Sequence, residues 1–280
     1  MRVIAPGKLV LTGAYAVLEG APAIVAAVDR YAVSHDTAPD EVDVQAFHDE
    51  GGRKLGLGSS AASMVASEAA RGVARGEDPT LSITRTHLFR RVRAAHAAHQ
   101  GGGSGVDVAA AVHGGVLRYS TDGDEVSIRP VEWPSGVVLI SFFSGSSART
   151  SDLRARVDAL RSRAVLEGLH VASREAAAFV EQGDGRGFIR SAREFGRALA
   201  ALGRAADAPI VPPAFAELAD LAEAEEGAFL PSGAGGGDVA VWLGETPPSD
   251  SFLQRATALA MRRLALAFDR GGVRTEPMST

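Results

Sequence analysis

No cysteine occurs among the 280 residues of the chain, which excludes a disulfide framework and any site built on a thiolate. No apolar run reaches membrane-spanning length, and the apolar part of the N-terminus is too short for a signal peptide. These absences predict a cytoplasmic protein without a membrane partner.

Basic runs and aromatic residues are also scarce. The net charge is −5 and aromatic residues make up 6% of the chain, so the usual pattern of a nucleic-acid-binding protein is missing. We therefore expect a small-molecule ligand and no nucleic-acid partner. Lysine occurs only at Lys8 and Lys54, and each lies beside a suspected phosphate site. A hydrophobic content of 46% is enough for a sizeable core, and a length of 280 residues favours two domains over one small domain.

Glycine, in contrast, is concentrated in three stretches, which run from Gly56 to Ala62, from Gly101 to Asp107 and from Ser232 to Asp238. A single stretch of this kind is more often a plain turn than a ligand site. The first stretch, however, leads directly into an apolar helical face, and glycine at a helix start lets backbone amides approach an anion. Three such stretches together predict an enzyme that handles more than one phosphate group.

Two common phosphate-binding motifs do not describe the first stretch. It lacks the Gly-Lys-Ser/Thr ending of a Walker A loop. It fits a dinucleotide fingerprint loosely, but a basic turn separates it from the nearest strand candidate, which disfavours a Rossmann fold.

The periodicity of the chain predicts runs of antiparallel strands and blocks of helices, which favours an α+β fold over a doubly wound sheet. A turn at Trp133 to Ser135 places the boundary between an N-terminal domain (residues 1–134) and a C-terminal domain (residues 135–280). Strands are expected at 8–18, 23–28, 31–35, 42–47, 116–120, 126–130, 137–143, 239–243 and 273–278. Helices are expected at 61–75, 83–99 and 252–268, with three more between 151 and 226.

Three segments in this order resemble the motifs of the GHMP kinases, which include galactokinase, homoserine kinase, mevalonate kinase and phosphomevalonate kinase. They are Ala5-Pro6-Gly7-Lys8, Gly56-Leu57-Gly58-Ser59-Ser60-Ala61-Ala62 and Ser232-Gly233-Ala234-Gly235-Gly236-Gly237-Asp238. The segments Gly13 to Glu19 and Gly103 to Val112 are most similar to the phosphomevalonate branch. His96, eleven residues before Asp107, stands where mevalonate kinases usually carry a magnesium-binding glutamate, and this difference too resembles that branch.

The resemblance implies a ribosomal-S5-like N-terminal domain, a ferredoxin-like C-terminal domain, and ATP and Mg²⁺ as cofactors. It implies that Lys8 and Asp107 are catalytic and that the hydroxyl of Ser60 reaches the metal. The implied nucleotide contacts are Gly56, Leu57, Gly58, Ser59, Ser60, Ala61, Gly233, Gly235 and Gly236. The implied substrate contacts are Tyr15, Ser104, Gly105, Ser147, Arg149 and Ala234.

Arg149 is also a candidate on chemical grounds, because a guanidinium can bind an acceptor phosphate through two parallel hydrogen bonds. A solvated arginine beside a helix cap explains its position equally well. In that case Lys54 or Arg193 would be the next candidates for the acceptor-phosphate site.

His96 and His99 share a helix face and are expected to have a polar or packed structural role rather than to bind a metal, because a third ligand at zinc-like spacing is missing. His113 is expected to pack near the site, and Asp238 is expected to support the glycine-rich loop.

The activity implied by the resemblance is ATP-dependent conversion of phosphomevalonate to diphosphomevalonate. One alternative is phosphorylation of an alcohol such as mevalonate or another small hydroxylated metabolite. A second alternative is a non-catalytic nucleotide-binding relative, which the presence of both Lys8 and Asp107 disfavours. The sequence leaves open whether the protein is a monomer or a homodimer.

Overall fold

The computed structural model describes residues 1–100, 102–146, 150–160 and 164–277. Ten strands and eight α-helices lie within these ranges. In chain order they are β1 (Arg2–Thr12), β2 (Ala23–His35), β3 (Ala38–Asp43), α1 (Ser59–Ala74), α2 (Ser82–Gln100), α3 (Val106–His113), β4 (Val116–Asp122), β5 (Glu125–Val131), β6 (Val138–Phe143), α4 (Thr150–Asp158), α5 (Val165–Gln182), α6 (Gly185–Ala205), α7 (Pro213–Ala224), β7 (Ala228–Pro231), β8 (Val239–Gly244), α8 (Asp250–Ala258), β9 (Arg262–Leu264) and β10 (Arg274–Glu276).

The strands form two sheets. The six-stranded sheet has the order β10-β1-β2-β4-β5, with β3 paired to β2, and the four-stranded sheet has the order β7-β8-β6-β9. Pairing is antiparallel between β6 and β8, between β7 and β8 and between β6 and β9. Antiparallel pairs combined with blocks of consecutive helices confirm the predicted α+β class.

The chain divides into two compact units, each assembled from separate segments. Unit 1 contains residues 1–9, 25–117 and 267–280, and unit 2 contains residues 10–24 and 118–266. The boundaries at residues 9, 24 and 117 fall inside strands β1, β2 and β4. The predicted functional boundary after residue 134 is a different division of the chain and stays a prediction.

Unit 1 owes its helix packing to small side chains. The buried face of α1 consists mainly of alanines, including Ala61, Ala62 and Ala69, so the backbones of α2 and α3 can approach closely. A buried carboxylate organises the C-terminal segment: Asp269 accepts hydrogen bonds from the Tyr31 hydroxyl at 2.8 Å and from the Gly272 amide at 2.7 Å.

Unit 2 has an aromatic core between the four-stranded sheet and its helices. Trp242 and Phe252 lie edge to face with ring centroids 4.8 Å apart, and Phe229 contacts Phe252, Phe142 and Phe215 in the same manner. These rings are buried, and edge-to-face geometry adds to the burial energy of such clusters. In the described part of the chain, no helix is long and apolar enough to span a bilayer.

Several predicted boundaries are wrong. The first strand is Arg2–Thr12 rather than residues 8–18, because the chain turns at Gly13, where φ is +93°. The predicted strands at 23–28 and 31–35 are one continuous strand, and β3 lies at Ala38–Asp43 rather than at 42–47. The predicted helix at 252–268 ends at Ala258, because Ala260 adopts φ +58° and the Met261 amide bonds back to the Ala256 carbonyl.

Candidate functional site

Lys8 on β1 packs directly on the first glycine loop, residues 56–58. Its amide donates a hydrogen bond to the Leu57 carbonyl at 2.9 Å, and its Nζ donates to the Gly56 carbonyl at 3.2 Å. The side chain is half-buried. The structure therefore brings the predicted catalytic lysine together with three predicted nucleotide contacts, Gly56, Leu57 and Gly58, within unit 1.

Glycine is required in this loop for two physical reasons. Gly56 and Gly58 adopt φ +75° and +80°, a region that other residues enter at a cost. A Cβ atom on Gly58 would also lie 2.9 Å from Cγ of Lys8. The missing side chain thus leaves the space in which the lysine stem lies.

The first glycine loop ends at the N-terminus of α1, where Gly58 is the N-cap and Ser59 is the first helical residue. The amides of a first helical turn lack acceptors within the helix, and the helix dipole adds positive potential there. Ser60, the predicted metal ligand, is half-buried in this turn, and its hydroxyl oxygen lies 3.4 Å from Nε2 of Gln100 on α2. Ser59, Ser60 and Ala61 are therefore placed as an anion site requires.

Asp107 lies in the first turn of α3. Its Oδ1 accepts a hydrogen bond from the Val108 amide at 3.0 Å, and its side chain is 24% exposed. Gly105 is the N-cap of this helix with φ +84°, and a Cβ atom there would lie 2.8 Å from Cγ of Arg93. Ser104 accepts a hydrogen bond from the Val106 amide at 3.3 Å.

His96 on α2 faces Asp107. Its Nε2 lies 3.9 Å from Oδ2 of Asp107, beyond hydrogen-bonding distance, and the residue is 3% exposed. This nitrogen has no hydrogen-bond partner among the described residues.

His113, at the end of α3, differs from His96. Burial, with a smaller contribution from nearby Arg85, lowers the pKa of its imidazole to about 4, and the ring packs against Phe89. The structure agrees with the predicted packing role of His113.

The last of the three glycine-rich stretches, residues 232–238, connects β7 to β8 in unit 2 and is called the second glycine loop below. It is held at several points: the Ser232 hydroxyl accepts a hydrogen bond from the Val10 amide at 3.1 Å, and the Gly236 amide donates to the Ile210 carbonyl at 2.9 Å. Gly235 has φ +79°, and a Cβ atom there would lie 2.0 Å from the Ile210 carbonyl oxygen. Gly233 and Gly236 also have positive φ. Close backbone packing therefore requires glycine at position 235, whereas Gly233 and Gly236 are favoured by their left-handed backbone conformation.

Tyr15 contacts this second loop directly. Its buried hydroxyl donates a hydrogen bond to the Ala234 carbonyl at 2.7 Å, and burial raises the pKa of the phenol. The backbone of Tyr15 has φ +63°, which is strained for a non-glycine residue. The structure thus brings together two residues predicted as substrate contacts, Tyr15 and Ala234, but it uses the phenol to hold the loop.

The predicted acceptor-side residues Ser147 and Arg149 lie outside the described residues. Of the two substitutes, Lys54 is exposed, and its backbone pairs with His48. Arg193 donates from Nε to the Gly227 carbonyl at 2.9 Å, so part of its guanidinium is already engaged.

Sequence reasoning missed the contact partners of the second glycine loop. Ile210 participates through its backbone carbonyl, which leaves no signature in residue type. For the hydrogen bond between the Val10 amide and the Ser232 hydroxyl, the only sequence signal was the serine at the start of the loop.

A protein-built metal cage is not present in the described part of the chain, where no group of three His, Asp or Glu side chains converges. A magnesium site of the kind predicted does not need one. Mg²⁺ commonly keeps several waters and binds through substrate phosphates with few protein ligands. The hydroxyl of Ser60 at the start of α1 is an oxygen donor of the type this ion prefers.

No family model matches the chain. Among curated proteins, it is similar to a phosphomevalonate kinase from Streptomyces sp. (strain CL190), with 28% identity over an alignment of 335 positions that covers 85% of this chain and 88% of the relative. It is also similar to a mevalonate kinase from Aeropyrum pernix, with 36% identity over 137 positions, 47% of this chain and 40% of that protein.

Solved structures with the same fold include a phosphomevalonate kinase from Streptococcus pneumoniae, in complex with phosphomevalonate and AMPPNP. Its TM-score is 0.80 at 20% identity, with coverage of 96% of this chain and 99% of that chain. At this identity the likeness establishes the fold alone. The curated sequence relatives are named phosphomevalonate kinase and mevalonate kinase.

Proposed function

We propose that this chain, whose sequence relatives and structural neighbours are kinases of the GHMP superfamily, transfers the γ-phosphoryl group of ATP to phosphomevalonate. The resemblance found from the three glycine-containing motifs is confirmed by these relatives. The single observation that carries the proposal is the packing of Lys8 on the first glycine loop at the start of α1. It places a cation, positive-φ glycines and a helix N-terminus within one small region of unit 1.

The nucleotide phosphates would bind at the first glycine loop. There Gly56, Leu57 and Gly58 offer backbone that a phosphate can approach, and Ser59, Ser60 and Ala61 contribute the first turn of α1. In unit 2, Gly233, Gly235 and Gly236 are the proposed nucleotide contacts. The S. pneumoniae relative, which was solved with AMPPNP, supports nucleotide binding as part of the proposal.

Magnesium is the proposed metal, and Ser60 is its proposed protein ligand. When bound, the ion would neutralise phosphate charge and fix the geometry of the transferred group. The chain's own contribution is to present one hydroxyl beside the phosphate-binding amides. Gln100, whose amide lies near that hydroxyl, would orient it.

Lys8 is proposed to stabilise the charge of the transferring phosphoryl group. Its Nζ is held by the Gly56 carbonyl, so the cation is oriented before substrate binds, and a preorganised cation contributes most in a site of low polarity. Phosphoryl transfer depends chiefly on positioning and charge neutralisation, so a fixed lysine can supply much of what the reaction needs.

Asp107 would orient the acceptor and Lys8. The second pKa of a phosphate monoester is about 6, so the attacking oxygen of phosphomevalonate is already mostly deprotonated at neutral pH. A strong base is therefore unnecessary. The carboxylate is held at Oδ1 by the Val108 amide, which suits an orienting role.

The acceptor phosphate would be bound by Arg149, with Ser147, Ser104, Gly105, Tyr15 and Ala234 as further proposed substrate contacts. Two anions must come together in this reaction, and a bidentate guanidinium is the side chain best suited to reduce their repulsion. The similarity to phosphomevalonate kinases over most of the chain supports this acceptor.

A second candidate function is phosphorylation of mevalonate, favoured by the 36% identity with a mevalonate kinase over about half of the chain. An alcohol acceptor carries a proton at neutral pH, so Asp107 would then have to remove it. Asp107 would therefore orient the acceptor in the first candidate reaction and act as a general base in the second.

A coupled assay of ADP release, run with phosphomevalonate, mevalonate, homoserine and galactose, tests the proposal. We expect kcat/KM to be highest for phosphomevalonate. Preference for mevalonate would establish the second candidate instead. ATP binding by calorimetry without turnover of any acceptor would refute both and indicate a non-catalytic relative.

A further inference from the structure

The buried imidazole of His96 has an unexplained polar atom. The residue is 3% exposed, yet its Nε2 has no hydrogen-bond partner among the described residues. Leaving a buried polar atom unpaired is costly, and buried polar groups in native proteins are nearly always paired. A packing role alone gives no reason for a histidine here, since an apolar side chain would fill the space without that cost.

This nitrogen faces the free end of the Asp107 carboxylate. Oδ1 of Asp107 is held by the Val108 amide at 3.0 Å, whereas Oδ2 lies 3.9 Å from Nε2 of His96. The gap exceeds a hydrogen bond by less than 1 Å, and a small rotation of the carboxylate would close it. Hydrogen bonds of functional groups are often long in the absence of ligands and shorten when substrates bind.

His96 also shares a helix face with Gln100. The two residues are four positions apart on α2, so their side chains lie one above the other. Gln100 contacts the Ser60 hydroxyl at the start of α1, and His96 faces Asp107 at the start of α3. One face of α2 therefore reaches the starts of both helices that carry proposed functional groups.

We propose that His96 is a positioning residue for Asp107: with substrates bound, Nε2–H donates to Oδ2 and fixes the carboxylate at both oxygens. The inference rests on the proposed function of Asp107. The tautomer with its proton on Nε2 is the one required, because a carboxylate offers only acceptors. His96 itself touches neither substrate nor metal and acts only through the carboxylate.

Two replacements at His96 separate positioning from packing. His96→Leu fills the space without a donor, and His96→Gln places an amide donor at a similar distance along its side chain. We expect His96→Leu to lower kcat about 10- to 100-fold, the scale seen when an orienting partner of a functional group is lost. We expect His96→Gln to restore kcat to within about fivefold of wild type.

Tm and the KM for ATP distinguish the two roles, because a purely structural role of His96 would make Tm fall in His96→Leu. Because leucine removes an unpaired buried nitrogen, the Tm of His96→Leu should be equal to or above that of wild type. The KM for ATP should remain within about twofold, since the lost contact acts on the carboxylate. His113→Leu is the matched control, because it removes another imidazole that is half-buried, at the end of α3. Its kcat should stay near that of wild type.

A double-mutant cycle with Asp107→Asn is the decisive measurement. If His96 acts through Asp107, then adding His96→Leu to Asp107→Asn should change the residual kcat by less than about twofold. If the kcat losses of the two single variants multiply in the double variant, the proposal is wrong. Unchanged kcat in His96→Leu, or a fall in its Tm that parallels the loss of activity, would overturn it as well. A raised half-saturation for Mg²⁺ in both His96 variants would also overturn it, because it would make His96 a metal ligand. Failure of the proposed function is distinguishable, since it appears in the wild-type protein itself, which would then prefer mevalonate or turn over no acceptor.

Discussion

The first and second glycine loops look alike in sequence but differ in what their glycines do. In the first loop, positive-φ glycines lead into a helix N-terminus and make room for the Lys8 side chain. In the second, glycines allow the backbone to approach Ile210 and Ser146, and loop amides bond to the carbonyls of both residues. Both loops are proposed nucleotide contacts, but the glycines of the first accompany a helix N-terminus and a lysine side chain, whereas those of the second accompany tight backbone packing.

The largest expected effect concerns the cation on the first loop. Lys8→Ala and Lys8→Met should each lower kcat by about 10²–10³, the usual cost of losing one preorganised electrostatic group. Met retains the stem that packs on Gly58, so equal losses in the two variants would assign the effect to the charge. Steady-state kinetics together with a thermal melt checks this. Normal turnover in Lys8→Met would remove Lys8 from the site.

Alanine at one glycine of each loop sharpens the comparison. Gly58→Ala would displace the Lys8 stem, and a misplacement of about 1 Å can cost about 10²-fold in rate. The left-handed backbone at φ +80° should add a strain of about 1–2 kcal/mol, so Tm should fall less than in the second loop. Gly235→Ala would collide with a backbone carbonyl and should cost about 3 kcal/mol of stability, or about 6–12 °C in Tm. Melting curves and kcat for both variants decide it. If both variants lose mainly stability, the two loops do not differ as described.

Tyr15→Phe tests whether the second loop needs its tether. Loss of the hydrogen bond to Ala234 should cost about 1 kcal/mol and lower kcat/KM for ATP about three- to tenfold, because the loop is less well held. Tyr31→Phe is the matched control, since it removes a similar phenol hydrogen bond, to Asp269. A comparable Tm decrease with normal kinetics is expected there. Identical kinetics in the two variants would refute the tether.

The smallest expected effect is at the start of α1. Ser60→Ala should raise the Mg²⁺ concentration for half-maximal rate about three- to tenfold, equivalent to about 1 kcal/mol, with little change in the KM of either substrate. Ser63→Ala is the control, because that hydroxyl donates to the Ser59 carbonyl of its own helix. A Mg²⁺ titration at saturating substrate measures both. An unchanged half-point in Ser60→Ala would make Ser59 the next candidate.

The sequence predicted those elements whose signals are local. The loop before α1, the long helix α2 and the alternating strands β4 and β5 follow from glycine placement and periodicity. Strand β7, from Ala228 to Pro231, was missed because a fully buried run of four residues has no period to detect. The end of α8 was missed because Ala260, rather than glycine, adopts the left-handed conformation.

The candidate site was predictable to a similar degree. Motif order predicted Lys8, the first glycine loop and Asp107 as site residues, and the structure places Lys8 on that loop. The contacts of Tyr15 with Ala234 and of His96 with Asp107 join residues far apart in sequence, and each depends on tertiary packing. No local pattern encodes such pairs, because they form only in the folded chain.

The segmented make-up of the two units has a consequence for biosynthesis. On a ribosome, residues 25–117 emerge long before residues 267–277, yet unit 1 needs both: β10 pairs with β1 through Arg2 and Glu276, and Asp269 anchors Tyr31. Unit 2 can gather all of its segments once residue 266 has emerged. The unit begun first is therefore completed last, and its alanine-lined helices must wait for residues 267–277 before their sheet is closed.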